Sequence, residues 1–179
     1  MTTGVTISDL SANPRLGFKG RGTIEAAKKL GFVLDDTPNR AFVQSEGQIC
    51  MVLSHSEVFL LDTNPAGDRL SRLEQSWRFE DRTFSYPLPR QHSHAWYRLQ
   101  GADASNMLAK VCGVDLRPQV FANLSIAQTS VARLSALVLR ADIDGEVTYH
   151  ILADNSASKY MLECLQDASS EFNQSRQPS

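Results

Sequence analysis

Hydrophobic residues recur along the chain with two periods, and these periods predict its helices and strands. In the first half, apolar positions at helical spacing predict a helix over residues 23–30, which Thr23 can cap, and an amphipathic helix over residues 68–77. Residues 79–89 are charged, aromatic and interrupted by prolines, and we expect a linker or a short irregular strand there. Short apolar runs between turn signals predict three strands, over residues 40–43, 49–53 and 58–61.

The second half repeats this alternation of periods. It predicts a helix over residues 101–111 and a last helix capped by Asn155 or Ser156, with a polar, frayed tail after residue 168. The buried face of the last helix is expected to consist of Tyr160, Met161, Cys164, Leu165 and Ala168. The predicted strands cover residues 94–99, 130–141 and 147–153, and residues 116–124 are expected to form a loop.

The two halves resemble each other, which bears on the fold class. The spacing from Gly20 to Leu30 matches that from Gly101 to Val111, and in each half strands and another helix follow. We therefore predict an α+β fold of two related β-α-β-β-α subdomains, produced by internal duplication, with mostly antiparallel sheets and helices on one face. The subdomains are expected over about residues 5–80 and 90–170.

Composition narrows the functional classes. The formal net charge of the 179 residues is −2, so there is no general basic field for nucleic acid or anionic lipid. Cys50, Cys112 and Cys164 lie far apart in apolar stretches, which is typical of reduced thiols in a reducing compartment. No secretory signal or membrane-length apolar run is seen, and we expect a cytoplasmic protein.

Titratable residues are scattered rather than clustered. His92 and His94 would share one face of a strand, but no nearby carboxylate or thiolate completes a zinc site, so surface or interface histidines are the favoured interpretation; His150 is interpreted as a polar strand position. Ser54-His55-Ser56-Glu57 has the residue types of a nucleophilic site without its spacing. The glycine-rich stretch 17–22 lacks the preceding buried strand of a dinucleotide site. We therefore predict no catalytic, cofactor-binding or metal-binding residues in this chain. This favours a binding protein or a subunit of a complex over an enzyme.

Several motifs follow one another in a definite order along the chain. In the second half these are a Gly-x-x-Ala-x-x-x-Leu-Ala helix, an Asp-Leu loop with a Phe, a Gln-Thr strand and a closing Ser-x-Ala-x-Tyr helix. In the first half they are PRLGFKG over residues 14–20 and ICMVLSHSEVFLLD over residues 49–62. In this order, the motifs resemble those of the γ subunit of heterotetrameric sarcosine oxidases. Two segments depart from the pattern: Ser54-His55 replaces a Gly-Pro turn, and residues 69–89 fit poorly. The matched residues of the second half are Gly101, Ala104, Leu108, Ala109, Asp115, Leu116, Phe121, Gln128, Thr129, Ser156, Ala157 and Tyr160.

The resemblance implies a fold and a role. The whole chain, residues 1–179, would form one domain with the folate-binding fold of glycine-cleavage T proteins and of the TrmE and YgfZ proteins. In the resembled family this subunit carries no cofactor: larger α and β subunits hold FAD, FMN, NAD and the tetrahydrofolate site, and a small δ subunit holds zinc. The complex oxidises sarcosine to glycine and transfers the one-carbon unit to tetrahydrofolate. The implied role is structural, with no activity of the chain alone.

Two alternatives stay open. The chain would serve equally as the corresponding subunit of a related complex that oxidises N-methylglutamate, dimethylglycine or dimethylamine. It could also be a stand-alone folate-binding module, which needs a carboxylate facing the pterin, with Asp115, Asp142 and Asp144 as candidates. A subunit must instead hide a large apolar patch in its complex. Candidates for exposed interface aromatics are Phe18, Phe79, Phe84, Tyr86 and Trp96.

Overall fold

A computed structural model describes residues 4–78 and 84–174 of the chain. The described residues form ten strands and four α-helices, which divide into two compact units. The N-terminal unit is Ala12–Ser93, and the C-terminal unit combines the residues up to 11 with those from 94 onward. All of the strand pairs described are antiparallel, and the predicted α+β class with antiparallel sheets is confirmed.

The N-terminal unit is a five-stranded sheet with two helices on one face. The sheet has the strand order β3-β4-β5-β2-β6, and one face of its central strands packs against Ile24 and Ala27 of α1 and Leu70 of α2. The elements in chain order are β2 (Arg15–Lys19), α1 (Thr23–Lys29), β3 (Arg40–Val43), β4 (Gln48–Ser54), β5 (Glu57–Asp62), α2 (Arg69–Ser76) and β6 (Tyr86–Pro89).

The C-terminal unit has the same plan. Its sheet order is β1-β7-β10-β9-β8, and the face that carries Tyr97, Val138 and Ile151 packs against Met107 of α3 and Met161 of α4. A 3-10 turn, Asn155–Ala157, precedes α4. The elements are β1 (Thr6–Asp9), β7 (His94–Gln100), α3 (Ala104–Leu108), β8 (Ile126–Val131), β9 (Leu134–Arg140), β10 (Thr148–Asp154) and α4 (Ser158–Gln174).

The two sheet orders correspond strand for strand, as an internal duplication requires. Gly20 and Gly101 end the equivalent strands β2 and β7 with φ of 135° and 130°. Each unit has three strands between its helices; three were predicted for the first half, but only two for the second half and in the β-α-β-β-α scheme. The sequence repeat is offset from the units: β1 precedes β2 along the chain but pairs with β7, whereas β6 precedes β7 but pairs with β2.

The largest error in the predicted elements lies at residues 130–141. This segment is the turn and second strand of a hairpin, because the chain reverses at Ala132-Arg133 between β8 and β9. Strands β1 and β2 were missed, and helix 101–111 is shorter, as α3. The predicted caps are also wrong: Gly22 precedes α1, and the Asp154 side chain accepts the Ser156 N–H at the 3-10 turn.

Helix α4 does not fray after residue 168. It continues to Gln174, where the side chain of Asn173 exchanges two hydrogen bonds with the backbone of Val5, at 2.9 and 3.0 Å. Met161, Leu165 and Ala168 are buried as predicted, but Tyr160 is 45% exposed and Cys164 is half-buried.

The three cysteines are free thiols. Burial raises the pKa of the Cys50 thiol to about 12, so this thiol stays protonated at neutral pH. No helix among the described residues is long and apolar enough to span a membrane.

Candidate functional site

Of the three aspartates that were candidates for binding a pterin, two are paired with arginines and one is exposed to solvent. The Asp115 carboxylate accepts hydrogen bonds from Arg117, at 2.6 Å for the shortest, and this pairing lowers the pKa of Asp115 to about 2. Asp142 accepts two hydrogen bonds from Arg140, at 2.6 and 2.9 Å. Asp144 is exposed in the turn between β9 and β10. Because the Asp115 and Asp142 carboxylates are already paired with arginines, they do not fit a role as pterin ligands.

Arg140 is a structural anchor that the sequence analysis missed. Its buried guanidinium donates to the carbonyl oxygens of Pro118 and Phe121, at 3.0 and 2.8 Å, in addition to Asp142. These bonds fix the loop between α3 and β8 onto the end of β9. The available signal was an arginine that ends an apolar run, two residues before an aspartate.

The cavity nearest these residues is small. It measures about 80 Å³ and is lined by Gly101, Ser105, Pro118 and Glu146, among others. Pockets that hold cofactor-sized ligands are typically about 300–1,000 Å³. None of the three nominated aspartates lines the cavity. This cavity is therefore too small for a folate and is not formed by the nominated carboxylates.

The histidines are not gathered around a metal. His92 lies in the turn before β7, and His94 is the first residue of that strand, so they do not share a strand face. Across residues 4–78 and 84–174, no group of three histidine, cysteine or acidic side chains is placed to bind a metal ion.

The Ser54–Glu57 stretch forms the tight connection between β4 and β5. The Ser54 and Ser56 hydroxyl groups lie 3.3 Å apart. The Glu57 carboxylate binds Lys19 on the neighbouring strand β2 at 3.1 Å, and Arg90, which directly follows β6, at 2.8 Å. Its charge therefore supports the sheet, and it does not orient His55 as the acid of a triad would.

His150 lies in strand β10, in agreement with its interpretation as a strand position, and its side chain is buried. Trp96 Nε1 donates a 2.9 Å hydrogen bond to His150 Nδ1, so the neutral imidazole carries its proton on Nε2. Burial, together with the charge of Arg98, lowers the pKa of His150 from 6.5 to about 3. His150 Nε2 has no hydrogen-bond partner among the described residues.

The glycine-rich stretch 17–22 overlaps a buried strand, because its first three residues end β2, and this corrects the prediction that no such strand precedes the glycine-rich turn. It nevertheless does not cradle a phosphate. The Gly20 N–H donates to Ser56 O at 2.8 Å, the Gly22 N–H to Phe84 O at 3.2 Å, and the Thr23 N–H to Gly20 O at 3.1 Å. These N–H groups are already hydrogen-bonded, and the bond from Gly22 to Phe84 connects the end of β2 to the residues just before β6.

Two of the nominated aromatic residues form an exposed surface on the N-terminal unit. Phe84 and Tyr86 are 51% and 48% exposed, and the Arg21 guanidinium lies 5.4 Å from the Phe84 ring centroid. We call Arg21, Phe84 and Tyr86 the aromatic surface. Phe18 and Trp96 were wrong as interface candidates because both are buried, and Phe79 lies outside the described residues.

The backbone at the aromatic surface is unusual in two respects. Phe84 has a φ of 47°, a conformation that is rare for a bulky residue. Edge strand β6 contains Pro87 and Pro89, which have no N–H to offer to an added strand. A partner would therefore recognise this surface through its side chains rather than by extending the sheet.

Two solved structures have a fold similar to that of this chain. No protein-family model and no curated protein matches the sequence. Among solved structures, the chain is similar to a chain of the heterotetrameric sarcosine oxidase from Corynebacterium sp. U-96. The TM-score is 0.78 at 24% identity, over 97% of this chain and 88% of the other. The resemblance predicted from the sequence is thus confirmed at the level of the fold.

A second similar structure is the glycine cleavage system aminomethyltransferase T from Bartonella henselae. The TM-score is 0.68 at 15% identity, over 92% of this chain. The alignment covers 46% of the aminomethyltransferase, so this chain corresponds to about half of that protein.

Proposed function

We propose that this chain is a non-catalytic, cofactor-free subunit of a sarcosine oxidase-type flavoprotein complex. The observation that carries the proposal is the reciprocal coverage with the sarcosine oxidase chain, 97% of this chain and 88% of that one. The same comparison leaves more than half of the aminomethyltransferase unmatched. This chain thus aligns with most of the sarcosine oxidase chain and with less than half of the aminomethyltransferase.

The condition of the candidate residues supports a structural role. Asp115 and Asp142 are bound to arginines, and Glu57 is bound to a lysine and an arginine. Each of these carboxylates stabilises a loop or a sheet through its ion pair. A general acid or base must lie within hydrogen-bond reach of its substrate, whereas these three carboxylates are bonded to basic side chains.

In this proposal the chemistry takes place in other subunits. Larger α and β subunits would bind FAD, FMN, NAD and tetrahydrofolate, and a small δ subunit would bind zinc. They would demethylate sarcosine oxidatively in the cytoplasm and transfer the one-carbon unit to tetrahydrofolate. This chain would stabilise the large subunits through contact surfaces.

The aromatic surface is the proposed contact on the N-terminal unit. Interfaces are enriched in aromatic and arginine side chains, which supply most of the binding free energy. Phe84 and Tyr86 expose two rings beside Arg21, and the backbone at Phe84 holds a conformation that a glycine would adopt with less strain. An exposed phenylalanine at such a position is consistent with a side chain retained for contact with a partner.

Co-expression tests the proposal. The tagged chain is produced together with the products of its neighbouring genes, purified, and examined by absorbance. We expect large subunits with a flavin spectrum to copurify. Replacement of both Phe84 and Tyr86 by serine should reduce their recovery about tenfold or more, which corresponds to the loss of one or two interface anchors. The matched control is Val120→Ser, which removes an exposed apolar side chain from the other unit.

A colourless chain that purifies alone as a stable monomer would contradict the proposal. In that case the alternative is a folate-binding module, which the similarity to aminomethyltransferase T favours. Titration of the lone chain with tetrahydrofolate, followed by fluorescence, distinguishes this alternative. If the complex forms, substrate screening with sarcosine, dimethylglycine, dimethylamine and N-methylglutamate separates a sarcosine oxidase from a related amine-oxidising complex.

A further inference from the structure

We draw no further inference here: the strongest candidate, the groove of about 790 Å³ at one end of the N-terminal sheet that Arg15, Glu74 and His92 line, carries none, because the Arg15 guanidinium is held by the carbonyl oxygens of Arg90 and Gln91 and nothing in the structure shows what would occupy the groove.

Discussion

At the residue scale, buried His150 links the stability of the fold to pH. Its pKa in the folded chain is about 3, compared with 6.5 when solvated, so between these values only the unfolded chain takes up the proton. Stability from His150 is therefore complete above pH 6.5 and falls as the pH decreases towards 3, by about 1.4 kcal/mol per pH unit. A His150→Gln variant can still accept the Trp96 bond but cannot titrate, and it should lose this slope.

The measurement is urea unfolding between pH 7 and pH 4.5, for the wild type and for His150→Gln. His55→Gln, which removes an exposed imidazole from the β4–β5 turn, is the matched control and should keep the wild-type slope. If the wild type and His150→Gln have identical slopes, the imidazole is solvated in the folded chain, which would contradict the burial of His150.

Gly20 gives a second prediction at this scale. A Cβ at this position would lie 1.9 Å from Phe84 O, and the φ of 135° is one that side chains rarely adopt. Gly20→Ala should therefore lower the free energy of unfolding by at least about 1–3 kcal/mol, from backbone strain alone. Gly113→Ala is the control, because a Cβ there meets nothing within 4 Å. Equal unfolding free energies for the two variants would contradict the close contact between Gly20 and the backbone of Phe84.

At the element scale, the helices and strands that were predicted correctly are those with clear hydrophobic periodicity and with turn residues at their ends. Helices α1 and α2 and strands β3, β4 and β5 were found within one or two residues, because apolar spacing and residues such as Gly31 and Gly47 define their ends. The β8–β9 turn was missed because Ala132-Arg133 is not a turn signal, and the fold imposes positive φ on it. Strand β2 was missed because Gly17 and its two basic ends weaken the strand pattern.

For the candidate site, the sequence likewise predicted which residues are present but not how the fold places them. The sequence shows an arginine two residues from each of Asp115 and Asp142, but whether the two side chains pair depends on the local backbone conformation. Of the aromatic candidates, composition alone could not separate exposed Phe84 and Tyr86 from buried Phe18 and Trp96. That distinction depends on which side of a strand faces the helices or solvent.

The end of α4 makes an element-scale prediction. Asn173 binds both the N–H and the carbonyl oxygen of Val5, and so ties the last helix to the residues that lead into β1. Asn173→Ala should lower the free energy of unfolding by about 1–3 kcal/mol and speed amide exchange in β1, because two backbone groups lose their partner. Ser170→Ala, in the same helix turn region, is the control, since its exposed hydroxyl bonds only Asp167 O. Unchanged exchange in β1 would argue against this tie.

At the scale of the whole molecule, the repeat in the sequence and the units of the fold begin at different residues. β1 completes the C-terminal sheet although it stands at the start of the chain, and β6 completes the N-terminal sheet although it immediately precedes β7. Residues 12–93 form one unit, and the residues from 94 onward form the other together with the first strand, β1. Along the sequence, the division between subdomains is not a single cut.

A circular permutant tests this assignment. Val5 and Asn173 are joined by hydrogen bonds of 2.9 and 3.0 Å, so a short linker from residue 174 to residue 4 can replace the natural ends, with new termini between Ser11 and Ala12. Every strand pair then survives, and each unit becomes continuous in sequence. We expect the permutant to unfold within about 2 kcal/mol of the wild type, since new termini at exposed connections are tolerated. Deletion of residues 1–11 should instead expose the edge of β7 and cause aggregation. If the permutant aggregates as the deletion does, the link from β1 to β2 is itself required for folding, and the division into units at residues 11 and 12 is wrong.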